Sequence, residues 1–109
     1  MPMSGNVSSD SLGGTATLLV GYRVTVTEVH AINTTASKGY VQLFDAATAG
    51  AVTLGTTVPF RVLTVPADDS ADLLLPTEGL VFDNGVVAAA TTTATGSTAR
   101  TTHVRLGIR

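Results

Sequence analysis

The chain has 109 residues and a formal net charge of −2; 44% of it is hydrophobic, 13% is charged and none of it is cysteine. That length bounds the protein to one domain, able to bury roughly 60–70% of its unfolded surface and so to build a core without staples. The missing cysteines exclude a disulfide framework, a Cys-zinc site and a thiol nucleophile, and the near-neutral charge argues against a nucleic acid or an acidic membrane held by electrostatics.

Residues 1–14 read as an N-terminal arm, because a run of Ser, Gly and Asn leaves only Met3, Val7 and Leu12 able to dock on a surface. The opening Met1-Pro2-Met3-Ser4-Gly5-Asn6 lacks the basic stretch and apolar core of a signal peptide. Nowhere is there a run of about 18 apolar residues to span a membrane. Residues 15–109 are expected to form the domain proper.

In residues 15–33, Tyr22, Val24 and Val26 alternate with Arg23, Thr25 and Thr27, the period of a half-buried strand. The apolar series then slips by one to Val29 and Ala31. Either a bulge at Glu28-Val29 or a change of sheet accounts for that slip. Residues 39–45 predict a strand with Val41 and Leu43 on one face and Tyr40, Gln42 and Phe44 on the other. Residues 46–57 read as a long Ala/Thr/Gly loop. Residues 58–65 form another strand, with Pro59 at its start or on a sheet edge, and residues 66–70 form a turn. A short strand over residues 71–75 stops at Pro76. Asn84-Gly85, between residues 79–83 and 86–93, predicts a type I′ hairpin. After a loop at residues 94–102, residues 103–109 alternate cleanly, with Val104, Leu106 and Ile108 inward. Seven or eight short strands and no helix point to an all-β sandwich or barrel.

Thr is the commonest residue, with 19 copies, whereas Glu occurs twice and Lys once. β-Branched Thr suits a pleated sheet, and a surface poor in charge suits either a protein packed against neighbours or a soluble domain whose sheet exterior is Thr-rich.

The chemistry-bearing residues form no motif. His30 and His103 have no ligand-spaced partner, and no nucleophile elbow accompanies them. Asp68, Asp69 and Asp72 crowd one turn without the spacing, Gly or terminal Glu of a calcium loop, and read as a solvated turn. Glu28 and Glu78 are not tied together as a carboxylate pair. No catalytic residue, metal or cofactor is therefore expected. Arg100, Arg105 and Arg109, with His103, make a modest positive end that reads as a solvated strand face or, second to that, as a contact for an acidic neighbour.

A resemblance is carried by Tyr40-Val41-Gln42-Leu43-Phe44-Asp45, Gly55-Thr56-Thr57-Val58-Pro59, Leu73-Leu74-Leu75-Pro76, Gly79-Leu80-Val81-Phe82, the Ala/Thr run at residues 88–95 and Val104-Arg105-Leu106-Gly107, in that order. Over about residues 22–109 the chain resembles small β-sandwich structural proteins of tailed bacteriophages. The resemblance implies a single antiparallel, jelly-roll-like sandwich and a virion component: a capsid decoration (cement) protein, or else a tail or fibre module. As a cement protein it would form a homotrimer bound to the major capsid protein, with the arm adding contact area. Met3, Val7, Leu12, Arg100, Arg105 and Arg109 are the expected contact residues.

Overall fold

The computed structural model describes residues 5–73 and 75–109. Among them are nine strands: β1 (Gly5–Leu12), β2 (Thr17–Val20), β3 (Val24–Asn33), β4 (Gly39–Asp45), β5 (Arg61–Val65), β6 (Asp69–Leu73), β7 (Leu80–Phe82), β8 (Val86–Thr91) and β9 (Thr102–Ile108). A single 3-10 turn lies at Ala49–Ala51. All strand pairs are antiparallel.

The strands make two sheets. The first runs β1-β9-β3-β6, and β7 also pairs with β3. β6 faces residues 29–33 of β3 and β7 faces residues 24–26, so the two act in tandem as one interrupted edge strand. The second sheet runs β2-β8-β4-β5. The inward side chains of both sheets form one cluster, including Val26, Val29, Val41, Leu43, Leu106 and Phe82. These are the positions that period-two alternation selects, and their burial is the main favourable term in folding.

The phase slip in β3 is a bulge. Val26 pairs with Ile108 and Glu28 with Gly107, which leaves Thr27 as the extra residue. Thr27 and Glu28 are both exposed, and the buried series resumes at Val29. The strand stays within one sheet.

Two further points differ from the sequence reading. Residues 5–12, read as part of an arm, lie along β9 as β1, from Gly5 opposite Ile108 to Leu12 opposite Thr102. Backbone pairing to an alternating strand orders a stretch that has few apolar anchors of its own. Asn84-Gly85 closes no hairpin: β7 belongs to the first sheet and β8 to the second, so the chain crosses between sheets here. Gly85 has φ +146°, whereas Asn84 is not at positive φ, so the type I′ geometry is absent. A Cβ at Gly85 would lie 2.4 Å from the Val20 carbonyl oxygen and 2.8 Å from that of Ala46.

The outer face of the second sheet is covered by the protein's own loops. Residues 46–60 fold across it, so that Val52 joins Phe44, Ala46 and Val87 in a second small apolar cluster. Residues 92–101 cover the rest. Fully buried Gln42 donates through Nε2 to Thr91 Oγ1 (2.7 Å) and to the Gly96 carbonyl (3.0 Å). Thr91 Oγ1 in turn donates to the Thr93 carbonyl (2.7 Å). All six residues of β8 are consequently buried. The small side chains Ala88, Ala89 and Ala90 fit a strand packed on both faces.

Candidate functional site

The residues expected to meet a partner are dispersed. Met3 lies outside the described residues. Val7 is half-buried against the core, and Leu12, only 1% exposed, belongs to it. Leu12 thus spends its side chain on the protein's own interior.

The three arginines do not converge on one end. Arg100 is half-buried. Its stem packs on Gly39, where a Cβ would fall 2.5 Å from Arg100 Cγ, and its Nε is buried with no hydrogen-bond partner among the described residues. The aliphatic part of this side chain fills the space that a side chain at position 39 would take. Arg109 lies at the other end of the domain, held by backbone bonds to Thr25 in both directions (3.3 and 2.9 Å) and by a side-chain bond to the Glu78 carbonyl. Arg105 is exposed on the outer face of the first sheet, in register with His30, which is itself in register with Asp72.

His30 Nδ1 is 2.6 Å from Asp72 Oδ1. Among the described residues no hydroxyl is bonded to the other ring nitrogen of His30, so the pair does not extend to a nucleophile. Asp72 is directed at His30, while Asp68 and Asp69 line a shallow hollow of about 370 Å³ with Ile32 and Asn33. Asp68 adopts φ +51° as its N–H donates to the Thr35 carbonyl (2.9 Å), and Asp69 Oδ1 accepts from the Ser70 N–H (2.7 Å). These are turn-forming roles. Among the described residues, no group of three or more His, Cys, Asp or Glu side chains is placed to hold a metal ion.

What the sequence reading missed is a cleft of about 590 Å³ at the end of the domain where β4 ends and β5 begins. Its floor is Phe44, Ala46 and Val52, all buried. Its rim carries Val58, 84% exposed, with Pro59 and Phe60. Phe60 is fixed from two sides: its ring meets Phe82 edge-to-face at 5.1 Å, and the Arg61 guanidinium sits 4.8 Å over it. Polar groups close one side. Asp45 accepts from the Asp83 N–H (3.2 Å) and the Asn84 N–H (2.8 Å), and Asp83 pairs with Arg23 at 2.6 Å. The signal available in the sequence was Val58-Pro59-Phe60, three consecutive apolar residues ending a loop rich in Ala, Thr and Gly.

Comparisons with protein-family models, with curated proteins and with solved structures find no match to this chain. No helix among the described residues is long and apolar enough to cross a membrane.

Proposed function

We propose that this protein is a capsid decoration (cement) protein of a tailed bacteriophage: a jelly-roll sandwich that assembles as a homotrimer and bridges neighbouring copies of the major capsid protein without catalysing a reaction. The observation that carries the reading is the strand order. Counting β6 and β7 as one interrupted strand leaves eight, ordered 1-8-3-6 in one sheet and 2-7-4-5 in the other. A strand hairpin rolled up on itself, as in the jelly rolls of viral shell, lectin and cupin domains, would give this order.

Two further features support it. The sequence resemblance points to the same class of virion protein. The exterior, rich in Thr and poor in Lys and Glu, is desolvated at less cost than a densely charged one when it is packed against other subunits. The test is to locate the protein in purified virions by immunogold labelling, with its solution mass measured by sedimentation. The expected result is label on heads and the mass of three chains. Label confined to tails would select the tail or fibre reading, and absence from virions would overturn both.

A further inference from the structure

Asn84-Gly85 closes no hairpin, yet the pair stands where the chain crosses from the first sheet to the second, between β7 and β8. An asparagine followed by glycine carries a reaction of its own. The glycine's backbone nitrogen can attack the asparagine's side-chain amide carbon, because no Cβ stands in the way. In a folded chain the outcome depends on how the amide and the nitrogen are held. The three asparagines of the chain differ in both respects. Asn33 is 1% exposed and its side chain is pinned: Nδ2 donates to the Ser37 carbonyl (2.8 Å), while Oδ1 accepts from the Thr35 N–H (2.9 Å) and hydroxyl (2.6 Å). Thr34 follows Asn33 and Val7 follows Asn6, and both are β-branched residues that crowd their own nitrogen. Asn84 is exposed, and its side-chain amide makes no hydrogen bond among the described residues.

The backbone of the turn is held unevenly. Asp45 takes the N–H groups of Asp83 (3.2 Å) and Asn84 (2.8 Å), and the Ala46 N–H takes the Gly85 carbonyl (3.3 Å). The Gly85 nitrogen, the one that reacts, has no such partner among the described residues. The Val20 and Ala46 carbonyls that approach Gly85 lie on the side where a Cβ would stand.

We propose that Asn84 is a self-modification site that deamidates in the folded protein, with water as the co-reactant. The Gly85 nitrogen bonds to Asn84 Cγ. The amide nitrogen leaves as ammonia, carrying the proton that the Gly85 nitrogen gives up, and a succinimide ring closes. Water then opens the ring. Cleavage of the new Cγ–N bond leaves aspartate at position 84. Cleavage of the original peptide C–N bond leaves isoaspartate, whose main chain runs through Cβ and Cγ and is one carbon longer. Either product adds one negative charge to the formal −2, on the wall of the 590 Å³ cleft and next to Asp45 and Asp83. The isoaspartate also displaces the N–H groups that Asp45 holds and moves Gly85 from the place it fits, so the crossing between the sheets loosens.

The experiment ages the full chain at mildly alkaline pH, folded in buffer and unfolded in urea. Each asparagine is followed by peptide mapping, and isoaspartate by enzymatic methylation. In the folded chain Asn84 is expected to be lost at least about tenfold faster than Asn33 or Asn6, and within about fivefold of its rate in urea. Isoaspartate accumulates and the urea midpoint of the aged protein falls. Asn84→Gln, whose side chain would have to close a six-membered ring, should keep the wild-type midpoint when fresh and form no isoaspartate on ageing. Asn84 retained in the folded chain but lost in urea overturns the proposal, because the crossing then locks Gly85. So does loss at similar rates from all three asparagines, or isoaspartate that persists in Asn84→Gln. A modified protein with the fresh midpoint overturns the loosening of the crossing.

Discussion

Replacing Phe60 and Phe82 by alanine, singly and together, tests whether the two sheets are tied along their shared side. Phe82 lies on β7, at the edge of the first sheet, and Phe60 leads into β5, at the edge of the second. A buried phenylalanine removes on the order of 200 Å² from water, about 5 kcal/mol at 25 cal/mol per Å². Allowing for a compact unfolded chain brings this to about 3–4 kcal/mol. Phe82 is fully buried, so Phe82→Ala should lose about 4 kcal/mol once the cavity is included. Phe60 is 38% exposed and should lose about 2 kcal/mol. The edge-to-face contact adds about 1 kcal/mol that both single variants forfeit, so the double variant should fall short of the sum by that amount. Against a total stability of roughly 5–15 kcal/mol, both single variants remain measurable by urea unfolding, and the double variant does so when the wild type lies above the low end of that range. The chain has no Trp, so far-UV circular dichroism or the emission of Tyr22 and Tyr40 supplies the signal. Losses that add to within about 0.3 kcal/mol would refute the contact and with it the closure of the sheets on this side.

Gly85→Ala forces a Cβ against two carbonyl oxygens at a φ that L residues rarely adopt, and should lower stability by about 2–4 kcal/mol in a urea melt. Ala90→Leu adds three carbons to a fully buried site and should destabilise by about 1–3 kcal/mol in the same assay, with the melting temperature dropping accordingly. Arg23→Ala removes a solvent-exposed ion pair with Asp83 and should change stability by less than about 0.5 kcal/mol, an effect that shrinks further in 0.5 M salt. Leu12→Ser should unfold the protein at distinctly lower urea, because Leu12 is a core residue; a variant of wild-type stability would return it to the surface.

Alternation was the most legible feature of the sequence. Val104 and Leu106 on β9 and Val41 and Leu43 on β4 all lie in the core, and the slip that the pattern puts at Glu28-Val29 is a bulge one residue earlier, at Thr27. What alternation does not encode is the far side of a strand covered by distant loops. The alternation puts Gln42 and Phe44 on one face of β4 without saying what covers it, because the residues that bury them, Gly96 and Val52, come from loops that carry no periodicity. The Asn84-Gly85 turn was misread for a related reason. The pair signals a reversal, but whether the flanking strands then pair with each other depends on Asp45, Ala46 and Val20, which hold the turn from another part of the chain. Arg100 reads as a surface cation, yet its stem packs on Gly39, a glycine whose missing side chain only the folded chain explains.

The place of β9 has a consequence for biosynthesis. β9 is not an addition to a finished sheet but sits between β1 and β3, so β1 has no backbone partner until β9 has been made. A nascent chain that stops before β9 cannot complete the first sheet, and pairing β1 with β9 must close a loop that takes in every other described strand, which is slow and exposes unpaired edges meanwhile. Translation arrested before β9 therefore yields an open, aggregation-prone product.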